Sequence, residues 1–281
     1  MIKRRNTLPV QVGNVTIGGT APISVQTMST VSPADTAKAI ADAQRLAGFG
    51  AEIIRFAVPD MAAAKGLKDV VAASPVPIVA DIHFDYRLAL ASVDSGVQAL
   101  RINPGNIGGD DKVVQVVDKV RPKNIPIRIG INSGSLPADI LAAYGGHPTA
   151  EGMVEGALRH IRILERMDYP NMVISLKSSQ VPLMIEAYER LAEQVPYALH
   201  LGVTEAGLIR EGSIKSAIGI GTLLYGLAIQ SAFPSRMIRQ KKSKPDRPFS
   251  APWGCVSLAR LWSAVPRAAA RRSSSLAWPN R

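Results

Sequence analysis

Short apolar runs rich in β-branched residues recur seven times, each separated from the next by a stretch long enough for a helix. The runs are ISVQTM (23–28), AEIIRFAV (51–58), PIVADI (77–82), ALRINP (99–104), PIRIGIN (126–132), MVISLK (172–177) and ALHLGVT (198–204). Between them lie Ala- and Leu-rich segments with helical spacing, such as residues 33–50 and 150–167. Near-continuous apolar strands alternating with helices predict a parallel sheet covered by helices. Seven such units without an early break favour a (β/α)8 barrel, which usually takes about 250 residues. A doubly wound open sheet is the structural competitor. The first strand–helix turn lacks the G-x-G-x-x-G string that a dinucleotide-binding version would carry. The eighth strand is due after the helix expected over SIKSAIGIGTLLYG (213–226), where the chain changes character. Its loss would leave two unpaired sheet edges.

Charge marks the same boundary. The formal charge of +11 divides unevenly: residues 1–225 carry 22 Lys and Arg against 21 Asp and Glu, residues 226–281 carry 11 against 1. The body is electrostatically ordinary, and the excess belongs to a Ser-, Pro- and Arg-rich tail that also holds Trp253, Trp262, Trp278 and Cys255. A lone cysteine excludes an internal disulfide and cannot hold a metal cluster by itself. No run of apolar residues reaches membrane-spanning length, and the basic start MIKRRNTLPV has no apolar segment of the secretory kind behind it. The expected compartment is the cytoplasm.

In a parallel barrel the carboxyl ends of the strands form the active-site mouth. Those positions hold Arg55, Asp81, His83, Arg101, Asn103, Arg128, Asn132, Lys177, His200 and Glu205. Four cations on four strands converge on one face, and burying them is costly unless anions meet them. Arg forks with a Lys suit a doubly anionic ligand such as a diphosphate. PGNIGG and INSGS could add backbone N–H donors. Each residue also has a plainer reading. Arg55 or Arg101 could pair with an acid inside the barrel, His83 could anchor its loop, Asp81 could orient a cation, and Glu205 could cap the following helix.

The strings RRNTLPVQVGNVTIGGTAPISVQTM, VADIHFDYRLAL, LRINPGNIG, IRIGINSGSL, SLKSS, HLGVTEAG and SAIGIGTLL closely resemble the bacterial 4-hydroxy-3-methylbut-2-enyl diphosphate synthases, over roughly residues 4–225. The resemblance implies a TIM barrel followed by a small domain carrying a [4Fe-4S] cluster. It implies a homodimer in which one subunit's cluster domain caps the other's barrel. The implied reaction is the two-electron reductive ring opening of 2-C-methyl-D-erythritol 2,4-cyclodiphosphate in isoprenoid biosynthesis, with flavodoxin or ferredoxin as electron donor. Arg55, Arg101, Arg128 and Lys177 would then hold the cyclic diphosphate, with Asn103 and Asn132 as neutral partners. Asp81 and His83 would shape the mouth, His200 would belong to the substrate-binding set, and Glu205 would transfer the proton.

The resemblance also implies three Cys and one Glu as cluster ligands, and one Cys, in PWGCVSL, does not supply them. No cluster is therefore expected in this chain. Codons compatible with Phe233–Ile238, read one base out of frame, give V-S-L-T-D-D, and GLAIQS becomes G-L-G-D-T-I-R once one G is restored. Codons compatible with Val265–Ser273 give P-T-C-G-R-T-Q-I. The expectation is a substrate-binding barrel over 1–226, incomplete for want of its eighth strand, with the family's iron–sulfur domain absent. Residues 227–281 are expected to be an out-of-frame, disordered basic tail, and the chain inactive as written. Two other classes remain open: a cluster-independent phosphate-handling barrel of the pterin-synthase type, and a non-catalytic nucleic-acid-binding protein relying on the tail.

Overall fold

The structure is a computed structural model that describes residues 5–103, 106–226 and 233–235. It opens with a hairpin of β1 (Val10–Val12) and β2 (Val15–Ile17), followed by β3 (Val25–Met28), α1 (Thr36–Gly48), β4 (Ile53–Ala57), α2 (Met61–Ala73), β5 (Ile78–Asp81) and α3 (Tyr86–Asp94). Next come β6 (Ala99–Ile102), α4 (Asp110–Val120), β7 (Ile127–Asn132), α5 (Ala138–Ala143), α6 (Ala150–Arg166), β8 (Met172–Lys177), α7 (Val181–Ala192), β9 (Ala198–Leu199) and α8 (Ile209–Gly226). Strands β3 to β9 pair in chain order and always in parallel. All seven expected strands are present, in the order of a barrel rather than of a doubly wound sheet, whose strand order reverses at a switch point.

The helices begin where the sequence supplies a cap. Asp35, Asp60 and Asp85 accept from the N–H groups of Lys38, Ala63 and Arg87, and Thr149 accepts from that of Gly152. Each cap satisfies one of the donors a first turn leaves open. On α6 the buried residues Met153, Val154, Ala157, Ile161 and Leu164 recur at three- and four-residue spacing, which turns one face to the sheet.

Two apolar clusters divide the interior. The larger lies between strands and helices and includes Ile54, Phe56, Leu100, Ile129, Ile174 and Leu199. The smaller joins Val10, Val12 and Ile17 of the hairpin to Ile53, Val79, Ala99, Val173 and Ala198, near the starts of five strands. Residues from five strands can meet one hairpin only if the sheet curls. The hairpin therefore stoppers the amino-terminal end of the barrel. Its Gly13-Asn14 turn, with Gly13 at φ +57°, is a two-residue hairpin signal that the reading of strands as parallel units passed over.

One expectation needs amendment. The seventh strand was expected over 198–204, but β9 contains only Ala198 and Leu199, because the next rung toward β8 is taken by a tyrosine hydroxyl. The barrel strands recognisable in the sequence number seven, as expected, and beside them a three-residue segment, β10 (Phe233–Ser235), lies parallel to β3, Phe233 opposite Val25 and Ser235 opposite Thr27. The open edge of β3 offers backbone donors and acceptors that need no particular side chain opposite them, so a three-residue segment can fill that place. Among the described residues no pairing joins β10 to β9. The rest of the expected out-of-frame tail, 227–232 and 236–281, lies outside the described residues.

Candidate active site

Strand periodicity builds the site. On β4 to β9 one set of alternate residues faces the helices, and the other set faces the barrel interior. The interior set starts apolar, with Ile53, Val79, Ala99, Val173 and Ala198 against the hairpin. Two residues further along come Arg55, Asp81, Arg101, Ser175 and His200, with Arg128 on β7; Asn103, Asn132 and Lys177 follow nearer the mouth. The period of two thus places every strand-borne site residue in the sequence reading on one surface, above a dry floor.

Asp81 lies at the centre of the contacts and is 3 % exposed. Its Oδ2 is 3.5 Å from Arg55 Nε, and its Oδ1 is 3.2 Å from Arg101 Nη1 and 3.5 Å from His83 Nε2. Burial opposes its charge, but Arg55, the His83 hydrogen bond, Arg101 and Arg128 outweigh that and hold the carboxyl well below the usual carboxylate range. The plainer reading of Arg55 and Arg101, an acid partner inside the barrel, therefore holds for both, and it is the same acid.

That partner is not enough. Arg128 is buried, and none of its three guanidinium nitrogens has a hydrogen-bond partner among the described residues. Burial, then Arg55 and Arg101, push its ionisation well down. Lys177 is also buried, and burial followed by Arg55, Arg128 and Arg101 lowers its pKa well below the ordinary lysine value. His200 is 1 % exposed with Nε2 unpartnered, and burial with the Arg128 and Lys177 charges keeps its imidazole neutral. Four basic side chains, Arg55, Arg101, Arg128 and Lys177, thus gather around one carboxylate among the described residues. A cluster with three positive charges in excess, in a low-dielectric interior, is incomplete without anions.

The remaining residues stand further out. Asn103 is buried with Oδ1 unpartnered, Asn132 lies opposite Lys177 in the β7–β8 register, and His83 is half exposed at the rim. Glu205 is exposed in the loop between β9 and α8, with a left-handed φ of +49° that a non-glycine residue rarely adopts. Sequence reasoning missed Gly130, whose inward position on β7 leaves room for the Arg101 side chain. The period-two pattern of IRIGIN carries the signal, since it puts Gly130 on the same face as Arg128 and Asn132. A shallow cavity of about 330 Å³ at the other end, lined by Gln11, Gln98 and Lys123 among others, has no comparable gathering of charges among the described residues.

The model of the GcpE TIM-barrel domain matches residues 7–228. The chain belongs to the GcpE family. The 4-hydroxy-3-methylbut-2-en-1-yl diphosphate synthase (flavodoxin) of Magnetococcus marinus is 52% identical to this GcpE chain over 221 residues, covering 79% of this chain and 59% of that protein. The protein of the same name from Listeria monocytogenes serotype 4b is 52% identical over 223 residues, covering 79% and 60%. The chain therefore spans about three fifths of the length of the curated relatives it matches. Among solved structures, 3-dehydroquinate dehydratase from Geobacillus kaustophilus is similar at TM-score 0.60 and 15% identity, covering 96% of this chain and all of that one. Dihydropteroate synthase from Xanthomonas albilineans is similar at TM-score 0.58 and 12% identity, over 93% of this chain and 99% of that one. At such identities the likeness is one of fold.

Among the described residues no three His, Cys, Asp or Glu side chains gather to hold a metal, and Cys255, the one cysteine of the sequence, lies outside them. No described helix is long and apolar enough to cross a membrane.

Proposed function

We propose that this GcpE chain is the substrate-holding barrel of a 4-hydroxy-3-methylbut-2-enyl diphosphate synthase, taking the two phosphates of 2-C-methyl-D-erythritol 2,4-cyclodiphosphate between its interior cations. The observation that carries the reading is the excess of four interior cations, Arg128 and Lys177 buried and Arg55 and Arg101 partly buried, over the one carboxylate that faces them among the described residues. The names and identities of the relatives support the same substrate class. Arg128 brings donors that have no partner among the described residues, and Lys177 adds a basic group in the same interior. Arg55 and Arg101 keep one side on Asp81 and turn the rest of their positive field toward the ligand. Asn103, Asn132 and His200 supply neutral hydrogen-bonding atoms, and Asp81 and His83 shape the mouth. Cations on both phosphates would stabilise charge on the phosphate oxygen as its bond to carbon breaks. Glu205, in the exposed loop beyond β9, would transfer the proton.

The reductive step belongs to a fuller assembly, a homodimer of the cytoplasm that receives electrons from flavodoxin or ferredoxin. One cysteine supplies no cluster site, so this chain by itself binds the cyclic diphosphate without reducing it. Calorimetric titration of the full chain with the cyclic diphosphate tests the reading. Saturable binding that disappears in Arg128→Met is expected. A folded wild-type chain that binds neither the cyclic diphosphate nor inorganic diphosphate overturns it.

A further inference from the structure

Helix α7 runs behind β8 and β9, and its Tyr188 is completely buried. The tyrosine hydroxyl accepts from the Leu176 N–H at 3.0 Å and donates to the His200 carbonyl at 2.5 Å. In a regular parallel ladder those two backbone groups would bond to each other. His200 N–H already donates to the Ile174 carbonyl at 2.8 Å, and the next rung of that register runs from the Leu176 N–H to the His200 carbonyl. One side-chain hydroxyl stands in that rung. Two hydrogen bonds in series replace one of about 2.9 Å, which holds the strands apart at this level, and β9 ends at Leu199 just before it.

The location gives the insertion its meaning. Leu176 immediately precedes Lys177, and His200 carries the other end of the rung. Resting on the diphosphate reading above, we propose that Tyr188 is a positioning residue whose hydroxyl is a spacer, setting the width of the barrel between Lys177 and His200 and so the span an anion bridges there. Burial raises the pKa of Tyr188 above its usual value, so the hydroxyl keeps its proton and remains both donor and acceptor. A purely structural role would satisfy the same two backbone groups with no bearing on the ligand.

Tyr169 supplies the matched control. It too is buried and donates its hydroxyl proton to a backbone carbonyl, that of Ile125 at 2.5 Å, but it lies at the amino-terminal side of the sheet. Full-length Tyr188→Phe and Tyr169→Phe are compared with the wild type by titration with inorganic diphosphate and by the carbon-bound imidazole proton resonance of His200. Tyr188→Phe weakens binding about tenfold, a change of about 1.4 kcal/mol, and shifts the His200 resonance. Tyr169→Phe stays within about twofold of the wild type and leaves that resonance in place, although both variants lose thermal stability. A Tyr188→Phe protein matching Tyr169→Phe in both readouts overturns the proposal. If the wild type binds no diphosphate, the function reading fails, and the His200 resonance still decides whether Tyr188 is a spacer. Should Tyr188→Phe not fold, 3-fluorotyrosine incorporation keeps the hydroxyl and places a fluorine label there. Diphosphate then shifts the resonance at Tyr188 and not at Tyr169, and an unmoved Tyr188 signal counts against the spacer.

Discussion

Gly130 lies directly against the guanidinium of Arg101. Arg101 Nη2 donates to the Gly130 carbonyl at 3.3 Å, and a Cβ at position 130 would sit 2.6 Å from Arg101 Nε. The missing side chain is what lets Arg101 reach across to Asp81. Gly130→Ala therefore displaces the far end of a flexible arginine rather than backbone. The expected outcome is about tenfold weaker diphosphate binding, or about 1.4 kcal/mol, with a thermal midpoint close to wild type. Calorimetry and a melting curve on one sample check both halves.

Arg128 is held at a cost to the fold. Its three guanidinium nitrogens are buried without hydrogen-bond partners among the described residues, beside the like charges of Arg55 and Arg101. Arg128→Met removes a buried charge and keeps much of the side-chain volume, and is expected to stabilise the unliganded chain by about 1–4 kcal/mol. The same variant loses the stabilisation that saturating diphosphate gives the wild type, about 2.7 kcal/mol at a hundredfold excess over Kd. Urea unfolding with and without inorganic diphosphate measures both. An Arg128→Met protein less stable than the unliganded wild type counts against the account of Arg128.

Asp81 gives the opposite result. Among the described residues it is the carboxylate facing the four cations, and Asp81→Asn removes that compensation at a cost of about 3–5 kcal/mol. The pH dependence has a definite sign. The folded-state pKa lies below the ordinary value of 3.8, so the contribution is whole above that value and fades as pH falls from it toward the folded value. The stability gap between wild type and Asp81→Asn is expected to stay constant through neutral pH and to narrow in acid below the ordinary Asp value. Urea midpoints across that range check it.

Glu205 carries a left-handed backbone at φ +49°. Glycine adopts that conformation without the Cβ penalty, and alanine does not. Glu205→Gly is expected to be more stable than Glu205→Ala by about 1 kcal/mol, while both remove the carboxylate. Equal melting temperatures for the two variants would show that the loop relaxes freely.

The chain by itself determined a good deal. Seven apolar runs with helical segments between them give the βα repeat, and the period of two along IIRFA, IVAD, ALRI, IRIGIN and MVISLK puts their polar residues on one side of the sheet. The strings from RRNTLPVQVGN to HLGVTEAG carry the family, which a match over residues 7–228 shows. Tertiary structure decided the rest. It alone shows that Arg55 and Arg101 share Asp81, that Gly130 makes room for Arg101, and that the amino-terminal hairpin closes the floor. It also puts three residues, Phe233–Ser235, beside β3, and lets the Tyr188 hydroxyl replace a rung of the sheet and cut β9 to two residues. The reason is one of distance along the chain. Periodicity fixes which face of a strand a residue occupies, whereas its partners on that face come from strands some twenty or more residues away, as Arg101 does from Asp81. Those partners follow from register and from the volume of each inward side chain, and only the assembled barrel sets both.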